Sequence, residues 1–555
     1  MLIFGDLTFE EPREIIRAFT GEELATALPR LDELRQRLHV VGYIRYEAHR
    51  ALSDKSYRST GGMPLLWFAA FDKGTAYRAQ AEATPGYIKV TPQTDFPRYS
   101  GHIERIREAI AAGRTYQVNY TYACTVEAKG LDSRALYERL RQEQPTPYSA
   151  YLENEYETIL SCSPELFFEV EGQHILTRPM KGTMPRGETE EEDARLRHFL
   201  EEDAKNRAEN LMIVDLLRND LGRICRFGSV QVPELYAIET HSTVHQMTSS
   251  VTGELEAGIG LQAILEAIFP CGSITGAPKV ETMKLIETLE QRERGVYCGA
   301  IAYLNPEKLC FSVPIRMLQQ DKGSSSWTYG VGSGIVWDSR AESEWEECRT
   351  KTAFLQKVNP DFEILETMLL EDGKTEDLEL HLQRMEYSAD YFGYPFDRAR
   401  LPLFSGSGML RLLLDADGHF RTELHPVKAS GTHKVRLSDK CIKSSNPYLG
   451  HKTTYRPWYA EDMERIRKGE VFDVLHFNER GELGEGARCN VVLELDGHYY
   501  TPPLSCGLLG GTQRTALLLN GRCRERVLYR EDLERATRIY CINAVRGMVE
   551  VELMR

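Results

Sequence analysis

The spacing of hydrophobic positions along the chain separates helical from strand-like segments. Apolar residues recur at helical spacing in residues 203–221 and 341–357, and each segment therefore predicts a helix. The second helix is expected to end at Asn359-Pro360, because proline cannot continue a helix. Short runs rich in Val, Ile, Tyr and Gly predict strands at 296–304, 308–317 and 327–336.

The hydrophobic pattern restarts after Pro360. Residues 362–370 predict a strand, Asp372-Gly373 predicts a turn, and residues 377–393 predict a helix. A new strand, turn and helix directly after a helix stop indicate a second domain. We therefore expect one domain at residues 1–358 and a smaller one at residues 361–555.

Composition and charge restrict the class of protein. The chain has 555 residues, of which 42% are hydrophobic and 27% are charged, as in globular proteins, so disorder is excluded. A net charge of −15 without a basic stripe argues against nucleic-acid and anionic-membrane partners. No apolar run approaches the roughly 18 residues of a membrane span. The first residues lack the basic region of a secretory signal, and the 12 cysteines include no CxxC pair, so we expect a cytoplasmic location.

The first candidate site combines SPELF, which contains Glu165, with RPMKGT, which contains Lys181. Pro179 and Gly182 on either side of the lysine favour an irregular backbone that can direct a short segment into a cleft. One interpretation is an acid and an amine that face the same substrate. The other is an exposed turn lysine and a strand-end glutamate, and the residues alone leave both open.

Charged helix faces supply further candidates. Lys205 and Glu209 are four residues apart, which is the spacing of a surface ion pair. Glu344, Glu347 and Lys351 share one face of the later helix. Two carboxylates there suit a hard cation such as Mg²⁺ held together with an anionic substrate, and a solvated acidic face is the alternative.

Two glycine-rich segments, GSITGAPK (272–279) and GVGSGIV (330–336), lack the spacing and context of nucleotide-binding loops. Backbone N–H groups in such loops can still hold a carboxylate. His241 and His245 are four residues apart but lack the glutamate of the HExxH motif, which argues against a zinc site there.

Taken together, the motifs of residues 100–355 resemble those of the chorismate-utilising enzymes. The segments that carry the resemblance are YQVNY (116–120), SPELF (163–167), PMKGT (179–183), AENLMIVDLLRNDLGR (208–223), STVHQMTS (242–249), GSITGAPK (272–279), VPIRML (313–318), GVGSGIV (330–336) and EWEECRTK (344–351). The resemblance implies an α+β domain, a two-sheet β-sandwich with flanking helices whose site lies between the sheets, and chorismate as the substrate.

Within this family, the lysine of PMKGT resembles the subgroup of aminodeoxychorismate synthases, which aminate C4 of chorismate, whereas anthranilate-forming relatives place alanine there. The implied role of Lys181 is covalent catalysis, in which it attacks C2 and expels the 4-hydroxyl before ammonia displaces it. Glu165 is the implied general acid for the leaving hydroxyl. Gln117 stands where isochorismate-forming relatives place a lysine base, and an amide cannot take that proton.

The resemblance also implies ligands for a metal and for the substrate. Glu209 and Glu347 match Mg²⁺ ligands, and Glu344 matches an outer carboxylate. The implied substrate-binding residues are Gln117, His245, Thr275, Tyr297, Arg316, Gly332, Gly334 and Lys351. Among them, a guanidinium fork and an ammonium suit the carboxylates of chorismate.

A further candidate site lies in the C-terminal half. Lys452 stands in the polar segment HKTTYR, and Glu485 precedes a strand-like run. LLGGTQR (508–514) places a Gly-Gly turn before a helix, and the N-terminus of a helix can bind phosphate. A lysine, a carboxylate and a phosphate cradle are the needs of a pyridoxal phosphate site. A surface lysine beside a turn is the alternative.

This half resembles the class IV, fold-type IV pyridoxal phosphate enzymes. The segments that carry the resemblance are LETML (365–369), HLQRM (381–385), HKTTYR (451–456), GEGARCN (484–490) and NAVRG (543–547). It implies two small α+β subdomains with the cofactor between them, covalent attachment at Lys452 and a pyridine-nitrogen partner at Glu485. The implied phosphate site comprises Arg384, Gly511, Thr512 and Gln513. The chain departs from the family at Gly510, where proline is usual, and in its short C-terminal unit.

The order of the two units predicts two consecutive reactions. The first makes 4-amino-4-deoxychorismate, and the second releases pyruvate to leave 4-aminobenzoate for folate synthesis. An inactive, scaffold-type C-terminal unit and a true aminotransferase remain alternatives, and Lys181 argues against anthranilate synthesis. No segment resembles a glutaminase, so ammonia is expected from a separate glutamine amidotransferase. Class IV relatives are usually dimers, so we also expect a homodimer through the C-terminal half.

Overall fold

The computed structural model describes residues 1–79, 86–187, 190–240, 244–357, 359–427 and 431–554. The chain forms two compact units. The first is built from residues before 358. The second contains Asn359–Arg555 together with two short earlier segments, which include Tyr87 and Lys129.

The part of the chain before residue 358 alternates strands and helices. Its strands are β1 (Leu2–Phe4), β2 (Leu7–Phe9), β3 (Glu14–Ala18), β4 (His39–Ile44), β5 (Leu66–Phe71), β6 (Thr75–Ala76), β7 (Tyr87–Pro92), β8 (Gln117–Lys129), β9 (Tyr148–Glu153), β10 (Glu157–Ser163), β11 (Leu166–Glu171), β12 (His174–Arg178), β13 (Met180–Pro185), β14 (Gln231–Thr240), β15 (Val244–Glu254), β16 (Gly276–Ala277), β17 (Ala300–Leu304), β18 (Lys308–Ser312), β19 (Met317–Asp321) and β20 (Trp327–Ile335). Its helices are α1 (Gly21–Leu34), α2 (Ala48–Ser53), α3 (Phe96–Ala111), α4 (Ser133–Glu143), α5 (Glu190–Glu202), α6 (Ala204–Leu221), α7 (Leu261–Ile268), α8 (Lys279–Glu290) and α9 (Ala341–Lys357), with a 3₁₀ turn at Gly272–Ile274.

Two antiparallel sheets make up the first unit. The first sheet has the order β16-β8-β20-β19-β10-β9-β1-β2-β6, and the second has the order β13-β15-β12-β11-β18-β17-β4-β5-β3, with β14 beside β15. One hydrophobic core joins them, since Leu152 and Ile159 of the first sheet belong to the same buried cluster as Tyr43 and Phe68 of the second. The expected α+β arrangement of two packed sheets with flanking helices is confirmed.

The predicted helices of this unit are confirmed as α6 and α9. Helix α6 begins after Asp203, whose Oδ2 accepts a hydrogen bond from Asn206 N at 2.8 Å and so caps the helix. The strand predicted over 308–317 is wrong in its second half, because β18 ends at Ser312 and β19 begins only at Met317. Between them Arg316 has φ +52°, a value that is uncommon for a residue with a side chain.

The second unit has its own elements and its own cores. Its strands are β21 (Ile364–Leu370), β22 (Gly408–Leu414), β23 (Phe420–His425), β24 (Lys434–Ile442), β25 (Asp473–Asn478), β26 (Leu483–Gly486), β27 (Asn490–Leu495), β28 (His498–Thr501), β29 (Arg524–Glu525), β30 (Arg538–Asn543) and β31 (Gly547–Leu553). Its helices are α10 (Leu378–Phe392), α11 (Ala460–Arg467), α12 (Thr512–Leu519) and α13 (Arg530–Arg535), with 3₁₀ turns at Arg398–Arg400, Pro447–Gly450, Pro457–Tyr459 and Leu504–Cys506.

Two sheets organise this unit. A small sheet has the order β21-β22-β23, and a larger one has the order β26-β25-β24-β31-β30-β27-β28-β29. Helix α10 packs its apolar face on the small sheet, with Leu382 and Met385 buried in the same cluster as Met368 and Leu412. The strand and helix predicted after Pro360 are confirmed as β21 and α10. None of the helices in the described part of the chain combines the length and apolarity that a bilayer crossing requires.

Candidate active sites

Lys181 lies on β13, at the end of the second sheet of the first unit. The next residue, Gly182, has φ +83°, and a Cβ there would lie 2.8 Å from Leu200 Cδ1 and 2.9 Å from Asn206 Cγ. Only glycine meets both the backbone angle and the close approach of these neighbours. The PMKGT motif therefore lets β13 run directly against α6 while it carries the lysine.

The amine of Lys181 faces residues of the other sheet. A Cβ added to Gly334 on β20 would lie 3.4 Å from Lys181 Nζ and 2.3 Å from Gln117 Nε2. Gln117 itself is buried, and its Oε1 lacks a hydrogen-bond partner within the described residues. A buried, unpartnered amide oxygen beside a lysine is the pattern of a site that receives a polar ligand. The two sheets thus meet at a small polar cleft.

Glu165 supplies the acid of this cleft. It lies between β10 and β11, is 4% exposed, and its Oε1 accepts a hydrogen bond from Ser273 Oγ at 2.6 Å. Burial raises the pKa of Glu165 to about 7, while the Ser273 hydroxyl and the nearby Lys181 side chain act in the opposite direction. The carboxyl can therefore hold a proton near neutral pH and release it, as a general acid must.

Glu209, Glu344 and Glu347 are near enough to influence one another electrostatically. Burial raises the pKa of Glu209, and the charges of Glu344 and Glu347 raise it further, whereas Lys181 and Lys205 lower it. Lys205 Nζ lies 4.0 Å from a Glu209 oxygen and 3.9 Å from a Glu344 oxygen. Carboxylates that repel each other at the edge of a cleft suit Mg²⁺, so this donor set fits the ion.

Lys351 and Gly332 are close to these carboxylates. Lys351 Nζ lies 2.7 Å from a Glu347 oxygen and donates to Gly332 O at 2.8 Å. Burial acts to raise the pKa of Glu347, but the charge and the hydrogen bond of Lys351 lower it by more. The pKa of Glu347 is therefore below its ordinary value. Arg316 is also a predicted substrate residue, and burial lowers its pKa. The predicted residue Tyr297 packs on β20, since its ring lies 2.4 Å from where a Cβ on Gly330 would stand.

Two predicted substrate residues are engaged with the protein itself. Thr275 Oγ1 donates to Cys271 O at 3.1 Å, so its hydroxyl stabilises its own loop. His245 is 1% exposed, with Nε2 2.9 Å from Asp193 Oδ1 and Nδ1 3.0 Å from Thr240 Oγ1. The two ring nitrogens of His245 thus contact α5 and β14.

In the second unit, Lys452 follows the 3₁₀ turn Pro447–Gly450, and its carbonyl accepts a hydrogen bond from Leu365 N at 2.8 Å. Burial lowers the pKa of Lys452 to about 8. Arg384 and Arg456 lower it further, while Glu366 and Glu485 act to raise it. A lysine amine that loses its proton near neutral pH is suited to nucleophilic or proton-transfer chemistry.

Glu485 is held by donors on every side. Its Oε1 accepts from Arg456 Nη2 at 3.3 Å and from Tyr459 Oη at 3.2 Å, and its Oε2 accepts from Asn490 Nδ2 at 3.2 Å and from Leu509 N at 3.1 Å. Burial raises the pKa of Glu485 to about 7, against the effect of Arg456. Four hydrogen bonds therefore fix the position of this carboxyl in the lining of the cavity.

Arg384 is oriented by a buried network. Its Nε and Nη2 donate to the two oxygens of Glu366 at 2.8 and 2.6 Å, and its Nη1 donates to Gly510 O at 2.8 Å. His381 Nδ1 lies 2.6 Å from Glu366 Oε2, and its Nε2 lies 3.3 Å from Thr512 Oγ1. The network connects the HLQRM motif with the start of α12.

One cavity brings the predicted cofactor residues together. Its lining includes Lys452, Glu485, Arg384, Gly511, Thr512 and Gln513. Because α12 begins at Thr512, the N–H groups of its first turn have no partner within the helix and can face an anion. A lysine, a carboxyl and a helix N-terminus around one cavity fit pyridoxal phosphate.

Several supporting residues were not singled out by the sequence analysis. Ser273 contacts Glu165 across 108 positions of sequence. Glu366 accepts hydrogen bonds from Arg384, His381 contacts Glu366, and Arg456 donates to Glu485. Glu366, His381 and Arg456 belong to the motifs LETML, HLQRM and HKTTYR, respectively. Nothing in the spacing of these motifs indicated that the three residues position other site residues.

Comparison with known families agrees with this geometry. Residues 75–357 match the family model described as chorismate binding enzyme, and residues 416–554 match amino-transferase class IV.

Relatives of the first unit fall into two groups by name. The chain is 36% identical over 397 residues to anthranilate synthase component 1 of Methanothermobacter thermautotrophicus, which covers 62% of this chain and 84% of that protein. It is 41% identical over 294 residues to aminodeoxychorismate synthase component 1 of Bacillus subtilis. That alignment covers 53% of this chain and 61% of the relative, so the chain spans less than two thirds of the relative's length. The crystal structure of anthranilate synthase component I from Streptococcus pneumoniae aligns with a TM-score of 0.55 and 24% identity, over 64% of this chain and 92% of that one, a likeness of fold.

Proposed function

The chain belongs to the chorismate-binding enzymes, and from this membership we propose that it makes 4-aminobenzoate from chorismate in two steps. The first unit aminates chorismate to 4-amino-4-deoxychorismate. The second unit, which matches class IV aminotransferases, releases pyruvate from that product. The single observation that carries the choice of reaction is the position of Lys181, whose Nζ lies 3.4 Å from where a Cβ on Gly334 would stand, beside the buried Gln117.

In the first step, the nitrogen of Lys181 bonds to C2 of chorismate and gives up a proton as the ring double bonds shift and the C4–O bond breaks. Glu165 gives its proton to the departing hydroxyl, which leaves as water, because hydroxide alone is a poor leaving group. Ammonia then bonds to C4, the double bonds shift back, and the bond to Lys181 breaks. One difficult displacement is thereby divided into two easier ones.

Glu209 and Glu347 would hold Mg²⁺, with Glu344 as an outer carboxylate. The ion would neutralise their mutual repulsion and supply positive charge toward a carboxylate of the substrate. Arg316 and Lys351 would bind the other carboxylate, and the buried Gln117 Oε1 is suited to accept a hydrogen bond from the substrate or from ammonia.

In the second step, bound pyridoxal phosphate supplies an electron sink. Glu485 would keep the pyridine nitrogen protonated, and Arg384 with the first turn of α12 would hold the phosphate. Lys452 would remove the ring proton and return a proton to the departing pyruvate, which its lowered pKa supports.

The ammonia of the first step would come from a separate glutamine amidotransferase. The relatives that support this are named component 1, and no glutaminase motif was found in this chain. We also propose that two copies of the chain pair through their C-terminal halves, as class IV enzymes do.

A product assay tests the whole proposal. The purified chain is incubated with chorismate, Mg²⁺, an ammonium salt and pyridoxal phosphate, and the products are identified by mass. Formation of 4-aminobenzoate together with pyruvate is expected. Accumulation of 4-amino-4-deoxychorismate would show that the second unit does not act as a lyase. Anthranilate as the product would refute the role given to Lys181.

A further inference from the structure

A cluster of two thiols and a carboxyl lies at one wall of the second unit's cavity. Asp473, Cys489 and Cys541 are each at most 3% exposed, and one ligand atom from each lies within 4.8 Å of the other two. Cys489 also lines the cavity that contains Lys452. The proposed reaction assigns no role to any of the three.

The three residues come from different places in the larger sheet. Asp473 begins β25, Cys489 directly precedes β27, and Cys541 lies within β30. Strand β25 is several strands away from β27 in the sheet order, yet Gly486 N donates to Cys489 O at 2.8 Å and Ala487 N donates to Val474 O at 3.1 Å, which brings the two ends together. The cluster therefore sits where the sheet closes on itself.

The three ligand atoms are close to one another and have few other polar neighbours. Asn543 Nδ2 donates to Cys489 Sγ at 3.1 Å, and the backbone N–H groups of Val474 and Arg488 donate to the two oxygens of Asp473 at 2.8 and 3.4 Å.

We propose that Asp473, Cys489 and Cys541 form a binding site for a thiophilic divalent cation such as Zn²⁺. Two thiolates and a carboxylate are a common ligand set for zinc, and a tetrahedral ion with bonds of roughly 2.0–2.3 Å requires ligand atoms about 3.5–3.8 Å apart. The ligand atoms of the cluster lie within 4.8 Å of one another. A fourth ligand position would face the cavity, from which water can enter.

Charge balance supports the site. Three deprotonated ligands carry −3 and the ion carries +2, so one negative charge remains. Arg488 offsets it, since this cation directly precedes Cys489 in the chain and its backbone N donates to Asp473 Oδ2 at 3.4 Å. Its guanidinium is held in place by a hydrogen bond to Phe472 O at 2.7 Å. Binding exchanges the thiol protons for the ion, so affinity rises with pH.

The test is a titration of the full chain with Cd²⁺, which reports thiolate ligation by its charge-transfer absorption. The protein carries Cys441→Ser, which removes the exposed cysteine, and is saturated with pyridoxal phosphate and excess Mg²⁺. One equivalent of Cd²⁺ is expected to produce the band and to release the two thiol protons. The carboxylates of the first unit cannot give this signal, because they contain no sulfur.

Variants identify the ligands. Cys489→Ser and Cys541→Ser should each weaken binding by more than about tenfold, whereas Cys523→Ser, at a buried cysteine outside the cluster, should leave it unchanged. Native mass spectrometry of the unmodified chain counts bound Zn²⁺ without any variant, and bound Zn²⁺ should protect Cys489 and Cys541 from alkylation. A missing band, a band that survives Cys541→Ser, or a disulfide between Cys489 and Cys541 in the protein as purified would overturn the proposal. None of these readouts depends on lyase activity.

Discussion

Replacement of Glu165 by glutamine should separate the catalytic value of this acid from its cost to stability. The pKa of Glu165 is about 7 in the folded chain and 4.5 in its ordinary state. Folding therefore favours the neutral carboxyl. Its contribution to the free energy of unfolding is fully present below pH 4.5 and is lost as pH rises from 4.5 to about 7. The difference corresponds to about 3 kcal/mol, at about 1.4 kcal/mol per pK unit.

Glutamine is neutral at every pH, and its Oε1 can still accept the hydrogen bond from Ser273. Relative to the parent chain, Glu165→Gln should therefore gain about 2–3 kcal/mol of unfolding free energy between pH 5 and pH 8. Amination should fall by about 10²–10⁴-fold in the same variant, because no proton reaches the leaving hydroxyl. A gain in stability with a loss of activity is the signature of a buried catalytic acid.

The measurement is urea denaturation at pH 5 and pH 8, followed by tryptophan fluorescence. Four of the five tryptophans report on the first unit, Trp67, Trp327, Trp337 and Trp345. Glu171→Gln, at the exposed end of strand β11, which follows Glu165, is the matched control and should show little difference between the two pH values. If Glu165→Gln changed stability equally at both pH values, the carboxyl would not be buried in its neutral form and the assignment of Glu165 as the acid would fail.

Three further predictions concern the two sites. Lys452→Ala should abolish the visible absorbance of bound pyridoxal phosphate and cause 4-amino-4-deoxychorismate to accumulate. In the parent chain, uptake of the cofactor should accelerate as pH rises through about 8, where the amine of Lys452 loses its proton. A rate of uptake that does not depend on pH would contradict this. Arg384→Lys should weaken binding of pyridoxal phosphate by about 10–100-fold but leave binding of pyridoxal unchanged in equilibrium titrations, because lysine cannot replace the fork that bridges Glu366 and Gly510. Glu209→Gln should raise the Mg²⁺ concentration needed for half-maximal amination, and a chelator should stop amination in the parent chain; an unchanged Mg²⁺ requirement would remove Glu209 from the ligand set.

Motif and periodicity were sufficient for much of the secondary structure near the sites. Helix α6 begins within one residue of its predicted start, because a capping aspartate and an apolar periodicity are both local signals. The error between β18 and β19 has a tertiary cause. The segment reads as strand, yet Arg316 takes φ +52°, a conformation that local preference disfavours and that the surrounding sheets impose.

The sequence by itself determined the residue types of both sites, the order of the two units and the family of the first. It did so because motif spacing and side-chain chemistry are properties of a short segment. Only the tertiary structure decided which groups meet. It placed Ser273 on Glu165, brought Gln117 and Gly334 beside Lys181, and turned His245 toward Asp193. These pairs are separated by tens to hundreds of residues, and their contact depends on how sheets pack and close, which no local pattern encodes.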